Sequence, residues 1–266
     1  MSTRRGFTLI EVSLFLALTA LIFVGLIVGT SNSISQQRYS DATENFADFL
    51  RGVYSQVSDP QGISTGRSES AIYGKLVTFG EEYDLDGKSI PNDRKGNYVF
   101  IYDVVGDIKG NFGSSTVLED LEKLNISPVL TKDNKISPAG FAEAYSASWD
   151  VKIETTDTGN KIFTGAMLVV RSPSSGTIYA YSTESKIQVN TAIKNYTGGE
   201  VNPLKNLTTL GFSTGGADGI NFCLRMEGID FSGRRRNIHI GSDAHNSSAV
   251  EIFDLDTSQN RCKVSK

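Results

Sequence analysis

Residues 7–28 (FTLIEVSLFLALTALIFVGLIV) run for 22 positions with a single charge, Glu11. Past them the composition changes but the period does not. Tyr39, Ala42, Phe46, Phe49, Leu50, Val53 and Val57 recur at three- and four-residue steps, with Asp41, Glu44, Asp48 and Arg51 between them. That spacing predicts an amphipathic helix. Asp59-Pro60 ends it, because proline lacks a backbone N–H and disfavours helix before it. Together the two stretches predict one helix over residues 7–58. A coiled-coil dimer is the alternative, but the apolar positions keep no strict heptad.

Beyond Pro60 the pattern turns to alternation. Residues 71–79 and 97–105 (NYVFIYDVV) predict strands, the second most strongly. Trp149, Val151 and Ile153 alternate with polar neighbours, and residues 161–171 and 177–183 predict a hairpin across SPSSG. Ile220, Phe222, Leu224 and Met226 alternate near the end, followed by Ile238 with Ile240 and by Val250 with Ile252. Val117, Leu118, Leu121 and Leu124 share a helical face, which predicts a short helix over residues 116–124. Residues 185–218 support no assignment. The turns are short and rich in Gly or Asp, which argues for antiparallel sheets rather than βαβ units. The fold class expected is α+β, a long helix packed on an antiparallel β-sheet head.

The 266 residues allow one large domain or two ordinary ones. At 39% hydrophobic, 21% charged and a net charge of −4, the chain is ordinary in composition and unsuited to coating nucleic acid. Twenty-two helical residues span roughly 33 Å, one bilayer core. Arg4 and Arg5 precede them, which places Met1 in the cytoplasm and everything after Thr30 outside. A cleaved secretory signal has a shorter apolar core. A lipoprotein signal needs a cysteine after the core, and none stands there. A plain signal anchor fits the length but gives Glu11 no role. A carboxylate deep in a bilayer costs about 2.5–3.5 kcal/mol, less near the end of a span, and marks a functional position.

Cleavage between Gly6 and Phe7 gives Glu11 a role. Phe7 then carries a positive amine at a helix start, and Glu11 sits one turn inside. In an assembly of such helices, Glu11 of one copy pairs with the Phe7 amine of the next. The pair is strong only when matched in depth, so it sets the axial stagger between subunits.

The stretch Arg4-Arg5-Gly6-Phe7-Thr8-Leu9-Ile10-Glu11, followed by an apolar helix, resembles the class III prepilin signal of type IV pilins and type II secretion pseudopilins. The resemblance covers about 30 residues. It implies a leader over residues 1–6, removed after Gly6 by a prepilin peptidase, and N-methylation of Phe7. It further implies a pilin-like fold: residues 7–29 as the membrane-spanning, filament-core half of the helix, 30–58 as its amphipathic half, and 59–266 as an extracellular head. The partners implied are other pilin subunits, the peptidase and the membrane. The large head suggests a minor subunit or an adhesive tip, with a bulky major pilin as the alternative. The proline that the family's major pilins often carry late in the apolar stretch is missing. Gly25 and Gly29 stand there instead, at a spacing suited to close helix packing or local melting.

Both cysteines, Cys223 and Cys262, fall outside the cytoplasm on this topology, so a disulfide is the first expectation. Pilins of this class often close a C-terminal loop in the same way. If Ile220, Phe222 and Leu224 face the core, Cys223 faces away, on the outer side of its sheet. His239, Asp243 and His245 do not follow a standard metal spacing and read as two surface histidines. No cofactor is expected. Gly233-Arg234-Arg235-Arg236 concentrates charge that suits phosphate. Gly233, Arg234 and Arg236 are similar to a Gly-Arg-x-Arg motif of some minor pilins, linked there to DNA capture. Against this, loss of Arg4 and Arg5 leaves 24 basic against 30 acidic residues, a charge of −6. The partners weighed for the head are therefore DNA or a surface ligand. Four Asn-x-Ser/Thr sequons, at Asn125, Asn195, Asn206 and Asn246, carry no inference at their chance frequency. No phosphate-binding loop, zinc-protease or nucleophile-elbow motif occurs, and a structural subunit rather than an enzyme is expected.

Overall fold

The computed structural model describes residues 8–58, 70–82, 88–92, 94–107, 116–124, 126–128, 143–154, 162–184, 207, 209–214, 219–226, 235–241, 245–254 and 262. The chain is α+β, with one long N-terminal helix and antiparallel sheets. It divides into two compact units, one ending at Asp41 and one running from Ala42 to Lys266.

Helix α1 spans Leu9–Ser58, 50 residues, as the merged periodicities predict. Up to Ile34 the described large apolar side chains of the helix lie open, with Leu9 at 86% and Ile27 at 66% exposed, while Tyr39 is buried. In the second unit the stripe Ala42, Phe46, Leu50, Val53 and Val57 is buried, while Glu44 and Asp48 face solvent.

The larger sheet orders its strands β3-β2-β1-β6-β7, with β4 pairing the same edge of β2 as β3. These are β1 (Ser70–Phe79), β2 (Tyr98–Asp107), β3 (Ser127–Pro128), β4 (Glu143–Ser146), β6 (Gly165–Arg171) and β7 (Ile178–Thr183). Its inner strands read as continuous apolar runs because both faces are covered. Phe100, Tyr102, Val104, Leu168 and Val170 meet Leu118 and Leu121 of helix α2 (Val117–Lys123) and Leu124 at its C-terminal end on one side. By alternation Val77, Val99, Ile101, Met167 and Val169 are buried on the other. Tyr145 of β4 marks that second side, since its ring lies 5.8 Å from Phe46 and 4.3 Å from Phe49 of α1.

Gly74 marks a register shift in β1. A Cβ there would stand 2.2 Å from Val169 O, so the β1–β6 approach admits only glycine. The predicted β6–β7 hairpin closes across SPSSG. Gly176 takes φ +73°, and its N–H donates to Ser172 O at 2.9 Å.

The smaller sheet is β10-β9-β8-β5, with β5 (Val151–Glu154), β8 (Ile220–Met226), β9 (Arg236–Ile240) and β10 (Val250–Phe253). Ile220, Phe222, Leu224, Ile238 and Ile240 form its buried inner face. Phe222 joins the layers. Its ring lies 6.0 Å from Phe46, 5.0 Å from Phe79 and 5.2 Å from Phe163.

Two expectations change. Trp149 does not extend the β5 alternation, because Trp149 (φ 60°) and Asp150 (φ 55°) are left-handed and β5 begins only at Val151. Cys223 does alternate away from Phe222, yet it is fully buried rather than surface-lying, beside buried Glu154 and Asn237.

Burial raises three tyrosine hydroxyls: those of Tyr145 and Tyr181 to about 12, with Tyr179 adding to the second, and that of Tyr54 further still. In the unfolded chain a phenol ionises near pH ~10. Below that pH both states are neutral and the stabilisation is complete. As pH rises from about 10 towards 12 the unfolded chain loses protons first, so stability falls. Urea midpoints measured between pH ~9 and ~11.5 should drop over this window. An unchanged midpoint across it would contradict the burial.

Candidate functional site

Glu11 lies in the first turn of α1. Its Oε2 accepts from the Thr8 N–H at 2.9 Å and from Thr8 Oγ1–H at 3.0 Å, while the Glu11 N–H donates to Thr8 Oγ1 at 3.3 Å. This is a capping box, in which Thr and Glu three residues apart satisfy helix-end donors reciprocally. The Thr8-x-x-Glu11 spacing is the sequence signal for it, and the expectation of an intersubunit pair passed over it. The carboxylate thus has local partners at the helix start before any neighbour arrives. Gly6 and Phe7 lie outside the described residues.

After Glu11 the helix is long and apolar enough to cross a membrane, and none of that window is buried. Its hydroxyls are satisfied within the helix. Ser13 Oγ donates to Ile10 O at 2.9 Å, Thr19 Oγ1 to Phe15 O at 2.9 Å and Thr30 Oγ1 to Leu26 O at 2.9 Å. A hydroxyl bonded back to the preceding turn presents little polarity to hydrocarbon. At Gly25 and Gly29 an added Cβ meets nothing within 4 Å, so the packing of one chain does not demand glycine.

The arginine segment is built differently from its sequence reading. Arg235 is not displayed: its side chain is 10% exposed, and Nη2 lies 3.4 Å from Glu154 Oε2. Arg225 Nη1 reaches the other oxygen of the same carboxylate at 3.4 Å. Alternation turns Arg236 the opposite way, where Nε lies 2.8 Å from Asp254 Oδ1. Gly233 and Arg234 lie outside the described residues. Two of the three guanidiniums are therefore committed to carboxylates. Glu154 was missed in the sequence because its partners stand 71 and 81 positions away.

Cys223 and Cys262 form a disulfide, with Cα atoms 5.6 Å apart. Beside it Asn237 Nδ2 donates to Asn221 Oδ1 at 2.9 Å, and His239 Nδ1 contacts the same oxygen at 3.0 Å. His245 Nδ1 donates to Ile178 O at 2.7 Å. The two histidines serve separate elements. Among the described residues no three His, Cys, Asp or Glu side chains cluster to hold a metal ion, and Asp243 lies outside them.

The chain matches no family model, no curated protein and no solved structure.

Proposed function

We propose that this chain is a structural subunit, a minor one, of a type IV pilus or related pseudopilus, with a pilin-like fold. The reading has residues 1–6 removed after Gly6, Phe7 methylated, and the apolar half of α1 first spanning the membrane once and then joining a filament core. The head stays outside the cytoplasm, and the role is assembly rather than catalysis.

The observation that carries the reading is Glu11: a carboxylate at the start of a helix whose membrane-length apolar window is unburied, four residues after Arg4-Arg5-Gly6-Phe7. The capping box supports it. Thr8 holds the carboxylate at the helix end, where the Phe7 amine of a neighbour offers an opposite charge at matched depth.

Mass spectrometry of the N-terminal peptide from native cells tests the reading. A peptide beginning at methylated Phe7 is expected, and an intact Met1 or a start near residue 30 rejects it. For assembly, Glu11→Ala is expected to leave membrane insertion intact and to cut filament incorporation by about tenfold or more, since roughly 1.4 kcal/mol per contact is a factor of ten. Immunoblots of membrane and sheared-filament fractions read this directly, and equal incorporation of the variant would overturn the stagger argument.

A further inference from the structure

The four Asn-x-Ser/Thr sequons are alike in sequence and unlike in structure. Ile126, the middle residue of the Asn125 sequon, is fully buried, and Ser127 pairs with Val105 in the larger sheet. Leu207, the middle residue of the Asn206 sequon, is fully buried as well. A transferase must draw all three residues of a sequon into its own groove, which these two allow only by unfolding. The Asn195 sequon lies outside the described residues. At Asn246-Ser247-Ser248 all three residues are exposed.

This exposed sequon is anchored at both ends. Before it, His245 Nδ1 donates to Ile178 O at 2.7 Å, and the His245 ring meets that of Tyr179 at 5.2 Å. After it, Val250 is buried, and its carbonyl accepts from Arg51 Nη2 at 3.0 Å. Between the anchors Asn246 is extended, with φ −153° and ψ 172°. Its Oδ1 accepts from Ser248 Oγ–H at 2.6 Å and from the Ser248 N–H at 3.0 Å. Its Nδ2 carries two donors and bonds to no described residue. The hydroxyl that a sequon requires at its third position is thus already on the carboxamide oxygen. A donor at that oxygen acidifies the N–H at the other end, which eases loss of a proton as nitrogen forms a new bond.

We propose that Asn246 is an N-glycosylation site, modified on the folded head by transfer from a glycan carried on a lipid pyrophosphate. A bond forms between Asn246 Nδ2 and the anomeric carbon of the first sugar. The bond from that carbon to the pyrophosphate oxygen breaks, and the lipid pyrophosphate leaves with the electron pair. Nδ2 gives up one proton to a base of the transferase. The proposal rests on the head lying outside the cytoplasm, as the filament reading has it, because lipid-linked glycans are transferred on that side of the membrane.

The test is peptide mass spectrometry of the full chain purified from its native cells. Trypsin releases residues 237–261 as one peptide that holds a single sequon. That peptide is expected to carry sugar, and peptide N-glycosidase is expected to remove the sugar and leave an aspartate at the modified position. Asn246→Gln and Ser248→Ala are each expected to lose the glycan, and Ser248→Thr to keep it. The same digest holds the N-terminal peptide, which reports on the filament reading separately. An unmodified Asn246 overturns the proposal whatever that peptide shows, and a methylated Phe7 beside it leaves the filament reading standing. Sugar on Ser247 or Ser248 in place of Asn246 overturns the proposal, as does a glycan on this peptide that survives Asn246→Gln.

Discussion

Phe222→Ala is expected to destabilise the head by about 3–5 kcal/mol, the usual cost of emptying a buried phenylalanine site. The residue is fully buried and meets rings from three other segments: Phe46 of α1, Phe79 of β1 and Phe163 just before β6. No single neighbour can collapse into the space without leaving its own partners. Phe46 is itself held by Tyr145, and Phe79 by Phe163 at 5.1 Å. The cavity term therefore adds to the lost transfer energy. In thermal melts followed by near-UV circular dichroism, Tm should fall by about 10 °C or more. Phe222→Leu, which keeps most of the volume, should recover over half of the loss. A shift of under about 1 kcal/mol for the alanine variant would mean that α1 and the smaller sheet do not share this core.

The second large effect belongs to the disulfide. Cys223 and Cys262 are 39 positions apart. A loop of that length removes about 4 kcal/mol of unfolded-state entropy. The double variant Cys223→Ala/Cys262→Ala should therefore move the urea midpoint strongly downward. Its m-value should rise slightly, because the unfolded chain is no longer cross-linked. Both cysteines are buried, so some packing is lost too. Wild type unfolded in the presence of a reductant should match the variant to within that packing loss. Coincident midpoints for oxidised wild type and the variant would show that the bridge adds no net stability. Membrane insertion should survive in the variant, since the window apolar enough to cross a membrane lies near the N-terminus, far earlier in the sequence than both cysteines.

Much of this molecule was readable one segment at a time. The exposed and buried halves of α1 follow directly from a change in composition at constant period. The β6–β7 hairpin follows from a turn sequence with glycine where a left-handed residue is required. Strand β2 is the strongest of the predicted strands, and it is an enclosed one: paired on both edges and covered on both faces. Glu11 stands out as a lone carboxylate in an apolar run, and its local partner Thr8 stands three residues before it at capping-box spacing.

The arginines show the opposite situation. Arg234-Arg235-Arg236 reads as a charged turn, but strand alternation puts Arg235 on the face of buried Asn237 and Cys223, and Arg236 on the opposite face beside Asp254. Whether a buried arginine is tolerable depends on a buried carboxylate, and Glu154 comes from a strand far earlier in the chain. Cys223 was likewise placed on the correct side of β8, but its depth was set by what covers that side.

The quantities that are local were legible in the chain: element type, the C-terminal end of α1, the stretch long and apolar enough to cross a membrane, the hairpin turn and the odd carboxylate at position 11. These depend on period, propensity and capping, all of which act within about one to three turns of chain. The tertiary structure alone decided the division into two sheets, the burial of both faces of β2, the pairing of Glu154 with Arg225 and Arg235, and the meeting of four aromatic rings at Phe222. Those depend on contacts between residues distant in the chain, where the free energy of burial or of an ion pair exists only once both partners are in place.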